Sequence, residues 1–375
     1  MIDGPSSTLR LAERIHRARR VGVTFGRVYL GAKTNQLIAR HLAPPDMKRR
    51  WSRFHHESAR SIYASAVELR GLILKGCQFL GSRADVLPPA YVRVLSKLQD
   101  RVPPRTFAVI RASVERELGQ PLDAVFEFFS RKPIASASLA QVHEARLHGG
   151  ERVAVKVQYP EIAALVKSDL RNLRALFRAV GAIERDFDLM PLVDELGAHI
   201  PKELDFVNEG HNAEYVAKLF EGRDDLYVPR IHWEHTTRRV LVMEFIEGIK
   251  ISDAKALRAA GVDPNQVMRT LIEAYCEQIL IHGFFHADPH PGNLLVQPRT
   301  GSARLVFIDF GLTKELPAGF RKGVVEFAGA LLAGRPEAMA QALVELGFET
   351  RENSLASLRA IADAILELAS QLRRQ

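Results

Sequence analysis

The chain has 375 residues and a formal net charge of +8, and its 47% hydrophobic and 26% charged residues are ordinary for a soluble globular protein of two or three domains. Its two cysteines, Cys77 and Cys276, exclude a disulfide framework and favour a reducing compartment, which we expect to be the cytoplasm. No apolar run approaches the roughly 18 residues that a membrane span requires, so any membrane contact is expected to be peripheral.

The positive charge is concentrated near the N-terminus. Residues 10–53 contain 12 Lys and Arg against Glu13 and Asp46, whereas residues 54–375 sum to −1. A segment of this kind docks on an anionic membrane surface or an acidic protein, or forms a solvated tail. Because no base-reading motif accompanies it, nucleic acid is the least favoured partner. Asp3 and Glu13 also argue against a cleaved transit peptide.

Three helices are predicted before any strand. The first covers residues 52–80 and ends in Lys75-Gly76-Cys77-Gln78, and the next two cover residues 90–100 and 106–118. We therefore divide the first part of the chain into a basic segment, residues 1–53, and an all-helical region, residues 54–130.

Strands are expected from Lys132 onwards. Residues 132–147 are typical of a strand, a turn of small residues and a second strand, and a third strand carries Lys156 in a Val-rich run. This order matches the nucleotide-covering half of a kinase N-lobe, in which the loop lies over the phosphates and the lysine pairs with them. On its own, VAVKV would be interpreted as an edge strand with a solvent-facing lysine.

The loop between the first two strands has no glycine, which distinguishes it from the usual glycine-rich loop. A Cβ at each position restricts positive φ, so a nucleotide is expected to sit somewhat differently here from ATP in a protein kinase. The loop consists of Ala135, Ser136, Ala137, Ser138, Leu139 and Ala140.

After a helical insertion at residues 161–190, a helix is predicted to begin near Pro201 and to carry several acids. Asp205 and Glu209 are four residues apart and share a face, whereas Glu203 lies further round the helix. A kinase needs one such acid to hold the strand lysine, although acids on a helix are more often a solvated surface.

Residues 227–245 are predicted to form two strands joined by a turn at residues 235–238. They complete the small sheet of an N-lobe at residues 131–247 and bring Met243 and Glu244 into the interlobe hinge, whose backbone is expected to bind adenine. The remaining residues, 248–375, form a short helical C-lobe: one helix at 265–281, stopped by Gly283, and two or three amphipathic helices after residue 311. The last of these is expected to bury Leu358, Ile361, Ala362 and Ile365 on one face.

Residues 283–311 form the centre of the prediction: a loop, a hairpin and a second loop that gather Asp288, Asn293 and Asp309. Three oxygen-bearing side chains suit a hard cation such as Mg²⁺, with phosphate oxygens as further ligands. In the kinase pattern D-x-x-x-x-N followed by D-F-G, Asp288 orients the attacking group or accepts its proton, while Asn293 and Asp309 hold the metal.

A second interpretation of this stretch is a transition-metal hydrolase. His286, Asp288 and His290 are spaced at i, i+2 and i+4 and belong to residue types that bind such metals. A chance D-F-G beside structural histidines is the third interpretation. The phosphate-handling motifs upstream favour the kinase pattern.

Several motifs occur in a fixed order: K-G-C-Q with FLGSRADVLPPAY, SKLQDRVPP, PIASASLAQVH, VAVKVQYP, ELDFVNEGHN, HADPHPGN and DFG. Over residues 51–348 the chain resembles the UbiB/AarF (ADCK) family of atypical protein-kinase-like proteins. The resemblance implies an α+β, two-lobed kinase-like fold with an N-terminal K-x-G-Q-type helical extension packed over the active site. It also implies ATP and Mg²⁺ as cofactors, and a role in isoprenoid-quinone lipid biosynthesis or lipid homeostasis with a quinone-precursor lipid as partner.

The resemblance further assigns residues. It implies that Lys156 pairs with Glu209, that Glu203 and Asp205 form the family's E-x-D motif, and that this motif meets Lys75 of the extension. Lys75 and Gln78 are then regulatory as well as close to the chemistry.

The sequence departs from the family pattern in two places. Cys77 stands where glycine is usual and would be strained if that position needs positive φ, unless Gly76 makes the turn. The C-terminal part is also shorter than is usual in the family.

Our first functional hypothesis is an Mg-ATP-dependent phosphotransferase or ATPase. The alternatives are a small-molecule kinase of the aminoglycoside or choline type and a catalytically silent nucleotide-binding scaffold. Lys75, Gln78 and the helical region argue against the small-molecule kinase, and the retained polar groups argue against the scaffold. The sequence carries no signal for the phosphate acceptor or for a homo-oligomer.

Overall fold

A computed structural model describes residues 11–42, 44–82, 87–98, 103–183, 190–317, 319–348 and 354–372. The chain divides into two compact units, one made of Met1–Gly210 and Arg230–Ile246 and the other of His211–Pro229 and Glu247–Gln375. Within the described residues, no helix combines the length and the apolar character needed to cross a membrane.

The first unit is mostly helical. Its helices are α1 Leu11–His41, α2 Met47–Leu69, α3 Gly71–Ser82, α4 Pro89–Leu95, α5 Phe107–Leu118, α6 Leu122–Val125, α7 Ile162–Ile183, α8 Met190–Glu203 and the start of α9 Phe206–Leu219. The boundary predicted between residues 53 and 54 falls inside α2. The helix predicted at residues 90–100 stops at Leu95 and continues as a 3₁₀ turn, Ser96–Leu98, and residues 99 and 100 lie outside the described residues.

The single helix predicted over residues 52–80 is in fact two helices. The chain turns between α2 and α3 at Arg70 (φ 56°) and Gly71 (φ 57°), and Arg70 is the one non-glycine residue of the described chain with positive φ. Glycine adopts this conformation readily, which favours a break at that point. The apolar stripe continues across the break, so the periodicity of the sequence does not reveal it.

The basic N-terminal segment is mostly helical over its described part, in α1 and the start of α2, and is not a solvated tail. Helix α1 packs against α2 and α7. It is held by Arg17, whose side chain is buried: Nε donates to Oδ1 of Asp169 on α7 at 2.9 Å, and Nη1 donates to the carbonyl of Leu69. Burial raises the pKa of Asp169, and the Arg17 guanidinium opposes that rise. Residues 1–10 of this segment lie outside the described residues.

An antiparallel sheet follows the helices. Its strands are β1 Phe126–Phe129, β2 Ala135–Ser136, β3 Ala140–Leu147, β4 Arg152–Gln158 and β6 Val240–Glu244, in the order β1-β3-β4-β6 with β2 on β3. The first strand starts at Phe126 and not at Lys132, because Phe-rich residues suit a strand and Pro133 lacks a backbone donor. One face of the sheet packs against helices in a core that includes Ile110, Val114, Val153, Val155, Val157, Ile162 and Leu165.

The two strands predicted in residues 227–245 separate. Residues Leu226–Tyr227 form β5, which pairs in parallel with a strand of the second unit, and only β6 joins the first sheet. The predicted hairpin shrinks to a bridge between Ile231 and Met243, because Pro229 offers no donor to a longer first arm.

The helix predicted to begin near Pro201 ends there instead. Pro201 lies in the last turn of α8, and the side chain of Asp205 accepts hydrogen bonds from the N–H groups of Val207 (3.1 Å) and Asn208 (3.4 Å) at the start of α9. Aspartate is among the residues that most favour this capping position. Glu203 therefore lies on α8 and Glu209 on α9, and Asp205 lies between the two helices.

The second unit holds the predicted hairpin. Strands β9 Leu294–Arg299 and β10 Ser302–Phe307 pair antiparallel, with β5 beside β10 and β7 Ile249–Lys250 beside β9. A separate pair joins β8 Phe284–His286 to β11 Thr313–Glu315.

The helices of the second unit are α10 Ala254–Ala259, α11 Pro264–Glu277 with a π-helical continuation at Gln278–His282, α12 Phe320–Leu332, α13 Pro336–Glu345 and α14 Leu355–Leu372. Gly283, at φ 66°, ends α11 as predicted. On α14 Leu358 and Ala362 are buried, but Ile361 is 44% exposed and does not belong to the predicted apolar face.

The Arg17–Asp169 pair makes the first prediction. Arg17→Met leaves a buried carboxylate without its cation and is expected to lower the free energy of unfolding by about 3–5 kcal/mol in chemical denaturation. Replacing both partners, as Arg17→Met with Asp169→Leu, should recover part of that loss. The control is Arg174→Met on α7, the helix that carries Asp169. The partner of Arg174, Asp194, is 61% exposed, so a cost below about 1 kcal/mol in the free energy of unfolding is expected. Equal costs at the two positions would contradict the prediction.

Candidate functional site

Lys156 lies inside the first sheet, not at its edge. Strand β4 has β3 on one side and β6 on the other. The Nζ of Lys156 lies 2.7 Å from Oε1 of Glu209 on α9, and the two side chains are 12% and 2% exposed. The same Nζ lies 5.2 Å from the ring centroid of Phe206. The interpretation as a solvent-facing lysine is therefore wrong.

A second ion pair connects the helical extension to the acidic segment. The Nζ of Lys75, on α3, lies 3.0 Å from Oε2 of Glu203, the last residue of α8. Asp205, besides capping α9, has Oδ2 3.4 Å from Nε of Arg238. The structure thus brings Lys75 to the first acid of the E-x-D motif and gives the second acid a local structural contact.

Gln78 and Cys77 lie inside the extension itself. Nε2 of Gln78 donates to the carbonyl of Leu98 at 2.8 Å, so this buried side chain links α3 to the end of the 3₁₀ turn. Cys77 is an ordinary helical residue without positive φ, and it packs in an apolar cluster with Ala66, Leu74 and Leu95. The strain expected at Cys77 is therefore absent.

The alanine-rich loop is fastened to the residue that follows β4. The hydroxyl of Tyr159 donates to the carbonyl of Ala137 at 3.1 Å and lies 2.9 Å from Oγ of Ser136. Its backbone N–H donates to the carbonyl of Leu139 at 3.1 Å, and the N–H of Ala137 donates to the carbonyl of Ala140 at 2.8 Å. Ala135 and Ser136 pair with β3, and Ser138 is buried. The tip of the loop is closed on itself.

Two buried polar side chains of β3, which follows this loop, contact each other and the neighbouring backbone. Gln141 and His143 are 1% and 0% exposed, and Nε2 of Gln141 lies 2.8 Å from Nε2 of His143. Because the Ser130 carbonyl at 2.8 Å from Nδ1 can only accept, Nδ1 carries the proton and Nε2 accepts from the glutamine. Burial lowers the pKa of His143, which keeps the ring neutral in this arrangement.

The two expected hinge residues are occupied by the sheet. The N–H of Glu244 donates to the carbonyl of Arg230 at 2.8 Å, and the next N–H, of Phe245, donates to the carbonyl of Arg152 at 3.1 Å. Met243 is 8% exposed and pairs with Ala154. The N–H of Glu244 is therefore taken up by the sheet, and the expectation that the backbone at Met243 and Glu244 binds adenine stays a prediction.

In the second unit, Asp288 and Asn293 form a closed loop. Nδ2 of Asn293 donates to Oδ2 of Asp288 at 3.0 Å and to its carbonyl at 3.3 Å. An amide donates only through its nitrogen, so this contact fixes the orientation of the side chain and leaves its oxygen as the end suited to a cation.

The loop around Asp309 is held against the first loop by backbone and side-chain contacts. The N–H of Ile308 donates to the carbonyl of Asn293, and the N–H of Ala287 donates to the carbonyl of Leu312, both at 3.0 Å. The carbonyl of Asp309 accepts from Nε2 of His286, while Oδ1 accepts from the N–H of Gly311 at 3.1 Å. Asp288, Asn293 and Asp309 are thus carried by two loops that are fastened together, as the hairpin pattern predicted.

His286 and Asn212 hold the Asp309-Phe310-Gly311 turn, a role that the sequence analysis did not assign to them. Nδ2 of Asn212, on α9, donates to the carbonyl of Phe310 at 3.2 Å. Since Nε2 of His286 donates to a carbonyl, Nδ1 accepts from the hydroxyl of Tyr275 at 3.2 Å. Burial, and then the negative charge of Asp288, raise the pKa of Tyr275, so the phenol keeps the proton that it donates.

The transition-metal interpretation is wrong. Both ring nitrogens of His286 have protein partners, and Nδ1 of His290 accepts from the N–H of Gly292 at 3.0 Å. In the part of the chain that the structure describes, no group of three or more His, Cys, Asp or Glu side chains is placed to hold a metal ion.

A lysine of an antiparallel sheet paired with a helical glutamate, together with D-x-x-x-x-N and D-F-G loops joined by a hairpin, defines a kinase-like fold. The family model described as "ABC1 atypical kinase-like domain" matches residues 97–343. The chain belongs to this family of atypical kinases, which includes the AarF domain-containing proteins, and it carries an N-terminal helical extension.

Similar proteins support this family membership. AarF domain-containing protein kinase 1 of Mus musculus is 41% identical over 274 residues, which cover 72% of this chain and 52% of the mouse protein. Protein ACTIVITY OF BC1 COMPLEX KINASE 8, chloroplastic, of Arabidopsis thaliana is 38% identical over 309 residues, 81% of this chain and 40% of that protein. The chain thus spans about half the length of these relatives.

Among solved structures, the complex of Rv3197 with erythromycin from Mycobacterium tuberculosis is similar to this chain. It has a TM-score of 0.55 and 26% sequence identity, and the match covers 79% of this chain and 74% of that one. This similarity, which extends over most of the chain, supports the kinase-like fold.

Tyr159, Gln141 and Asn212 are site residues for which the sequence offered only weak signals. Gln141 and His143 are polar at alternate positions of a strand that is otherwise apolar on that face, which is the pattern of a buried polar pair. Nothing in the sequence indicates that Tyr159 reaches back to Ser136, because that contact depends on how β4 lies beside the loop.

The two cysteines are expected to differ in reactivity. Burial raises the pKa of Cys77 to about 12, so at pH 8 about one thiol in ten thousand is ionised, whereas Cys276 is exposed. Iodoacetamide followed by mass spectrometry should label Cys276 in the folded protein and Cys77 only after denaturation. A Cys276→Ser variant isolates the buried thiol, and rapid labelling of that variant in its folded state would contradict the described packing.

Proposed function

We propose that this chain binds ATP with Mg²⁺ and acts as a phosphotransferase or ATPase. The observation that carries the proposal is the Lys156–Glu209 ion pair, whose charged atoms are 2.7 Å apart and nearly buried. Removing two charges from water is costly, and a buried pair contributes little net stability compared with apolar residues. In protein kinases a helical glutamate holds in place the lysine that pairs with the ATP phosphates. The same role would explain why this chain contains a buried ion pair that adds little stability.

The second unit supplies groups suited to Mg²⁺. The amide oxygen of Asn293 and the carboxylate of Asp309 are hard oxygen donors, and magnesium characteristically takes few protein ligands together with phosphate oxygens and waters. When bound, the cation would neutralise charge on the phosphates. The residues present therefore fit the cofactor.

Asp288 is the proposed catalytic carboxylate. Its Oδ2 accepts from Asn293, which orients the group and leaves its other oxygen to accept the proton of an attacking hydroxyl or water. The oxygen of that hydroxyl or water would then bond to the terminal phosphorus of ATP as the bond from this phosphorus to the ADP oxygen breaks. In this proposal Lys156 would compensate charge on the phosphates, and the loop containing Ala135, Ser136, Ala137 and Ser138 would contact them.

The extension gives this proposed enzyme a regulatory contact. Lys75 reaches Glu203 at 3.0 Å, and Gln78 fixes the helix that carries Lys75. We propose that Lys75, Gln78, Glu203 and Asp205 control which phosphate acceptor is admitted. The physiological setting that we propose, isoprenoid-quinone lipid biosynthesis, rests on the family resemblance.

A small-molecule kinase of the aminoglycoside or choline type is disfavoured by the Lys75–Glu203 contact, because such a kinase has no need of the extension that provides it. To separate the candidates, ATP turnover can be measured with quinone-precursor phenols and with hydroxylated small substrates. Stimulation by phenols alone supports the lipid setting, and stimulation by aminoglycosides or choline alone supports the second candidate.

Nucleotide binding is tested by thermal unfolding with ATP, with and without Mg²⁺. A ligand at a hundred times its dissociation constant stabilises by about 2.7 kcal/mol, which corresponds to a rise of several degrees in Tm. Asp309→Asn should keep part of the ATP effect and lose the additional effect of Mg²⁺. Asp363→Asn, at an exposed position of α14, is the matched control and should behave as wild type. A wild-type protein whose Tm is unchanged by Mg-ATP would end the proposal.

Asn212→Asp tests whether the contact with the Phe310 carbonyl positions Asp309. The substitution replaces an N–H donor by an oxygen that repels the carbonyl, so the Mg²⁺ concentration for half-maximal turnover should rise on the order of tenfold. ATP affinity without metal should not change, which separates this effect from a general loss of structure. Asn265→Asp, an exposed position in the same unit, is the charge-matched control. An unchanged Mg²⁺ dependence would assign Asn212 a purely structural contact.

A further inference from the structure

Arg105 is held by both of its backbone groups to a buried side chain of β3. It lies between the 3₁₀ turn Ser96–Leu98 and α5, which begins at Phe107. Its N–H donates to Oε1 of Gln141 at 2.7 Å, and its carbonyl accepts from Nε2 of Gln141 at 3.4 Å. Because Nε2 also donates to His143, the oxygen and both protons of the amide are used, and its orientation is fixed.

The side chain of Arg105 reaches Tyr159, the residue that follows β4. Its guanidinium lies 5.1 Å from the centroid of the Tyr159 ring and forms an ion pair with Glu161. Burial raises the pKa of Tyr159, so the phenol keeps its proton. A carbonyl can only accept, so this proton is donated to Ala137 at 3.1 Å, and Oγ of Ser136 donates to the phenol oxygen at 2.9 Å.

The alanine-rich loop uses its own backbone groups in the conformation that Tyr159 holds. The N–H of Ala137 donates to the carbonyl of Ala140 at 2.8 Å, and the N–H of Tyr159 donates to the carbonyl of Leu139 at 3.1 Å. Loops that bind phosphate do so by directing backbone N–H groups at its oxygens. The N–H of Ala137 can therefore reach a phosphate only after this turn has opened.

Gln141 connects these contacts to each other. It lies directly opposite Ser136 in the pairing of β2 with β3, so the residue that binds the backbone of Arg105 also pairs with one arm of the loop. Arg105 in turn lies over the ring whose hydroxyl holds the tip of the loop. We call Arg105, Gln141 and Tyr159 the loop clamp. All three belong to the first unit.

We propose that the loop clamp holds the alanine-rich loop in a conformation of low affinity for phosphates, so that Tyr159 and Arg105 set how tightly ATP binds. Both act through the loop and are positioning residues. When only an open minority of the protein binds a ligand, the apparent dissociation constant is the intrinsic one divided by the open fraction. A weaker clamp therefore tightens binding. This inference rests on the proposed ATP binding, whereas the clamp itself is measurable without nucleotide.

Hydrogen exchange of the whole chain without nucleotide tests the clamp. Tyr159→Phe removes the phenol hydroxyl and keeps the ring beside Arg105. Exchange of the Ala137 amide, followed by mass spectrometry of peptides that contain it, should become about fivefold faster. Peptides from the β9–β10 hairpin of the second unit should exchange as in wild type, which separates the effect from a general loss of stability. Unchanged exchange at Ala137 would overturn the proposal.

Calorimetric titration with Mg-ATP, and with adenosine, which lacks phosphates, tests the effect on affinity. Tyr159→Phe should lower the Kd of ATP about fivefold and leave the Kd of adenosine unchanged, because the clamp withholds a group that serves the phosphates. Arg105→Gln keeps the backbone contacts with Gln141, removes the cation over the ring and should lower the Kd of ATP about threefold. An unchanged or weaker affinity of Tyr159→Phe for ATP would overturn the proposal.

Two variants are matched controls. Tyr91 is a buried tyrosine of α4 whose hydroxyl bonds to Ser58, so Tyr91→Phe removes the same group away from the loop. The guanidinium of Arg304 lies 3.8 Å from the ring centroid of Tyr227 in the second unit, and Arg304→Gln removes the same kind of contact there. Both variants should bind ATP as wild type does. An equal gain in affinity in the controls would overturn the assignment to the clamp.

The two measurements separate this inference from the proposed function. A wild-type chain that binds no ATP ends the proposed function, and the exchange rate of Ala137 in Tyr159→Phe then decides by itself whether the clamp holds the loop. A wild-type chain that binds ATP, together with a Tyr159→Phe variant whose loop exchanges faster and whose Kd is unchanged, leaves the proposed function intact and overturns the role of the clamp in affinity.

Discussion

The first unit depends on an ammonium and a carboxylate, those of Lys156 and Glu209, held 2.7 Å apart and almost out of water. Such a pair is retained only if both groups arrive in register, which requires the central position of β4 between β3 and β6 and the start of α9 at Phe206. The capping of α9 by Asp205 sets that start. The junction between α8 and α9 therefore places Glu209, and the position of β4 in the sheet places Lys156.

The second unit uses a different principle, in which backbone contacts fix the functional loops. The β9–β10 hairpin brings the two loops together, and hydrogen bonds from Ile308 and Ala287 fasten them. His286, Tyr275 and Asn212 then hold the Asp309-Phe310-Gly311 turn through its carbonyl groups. These contacts hold the turn that carries Asp309 in place beside the loop of Asp288 and Asn293.

Sequence reasoning succeeded where a short motif carries its own geometry. The D-x-x-x-x-N and D-F-G loops, the lysine in a Val-rich strand and the glycine stop at Gly283 are local patterns, and the structure places them as the pattern indicates. Sequence reasoning failed where contacts with other parts of the chain decide the local structure. One apolar stripe continued through the break at Arg70, and Pro201 closed a helix that it was expected to open. Both failures concern where one helix ends and the next begins, which the apolar periodicity of the sequence does not reveal.

The order of the motifs by itself determined the family, the kinase-like fold class and the identities of Lys75, Lys156, Glu209, Asp288, Asn293 and Asp309, because spacing along the chain preserves which chemical groups are present and in which loops. Only the tertiary structure decided that Tyr159 clamps the alanine-rich loop, that Arg17 buries its charge against Asp169, and that α1 turns its leucines outward. The physical reason is that burial and hydrogen-bond partnership are properties of pairs of distant segments. A single sequence states what each side chain can donate or accept, and the packed fold selects the partner.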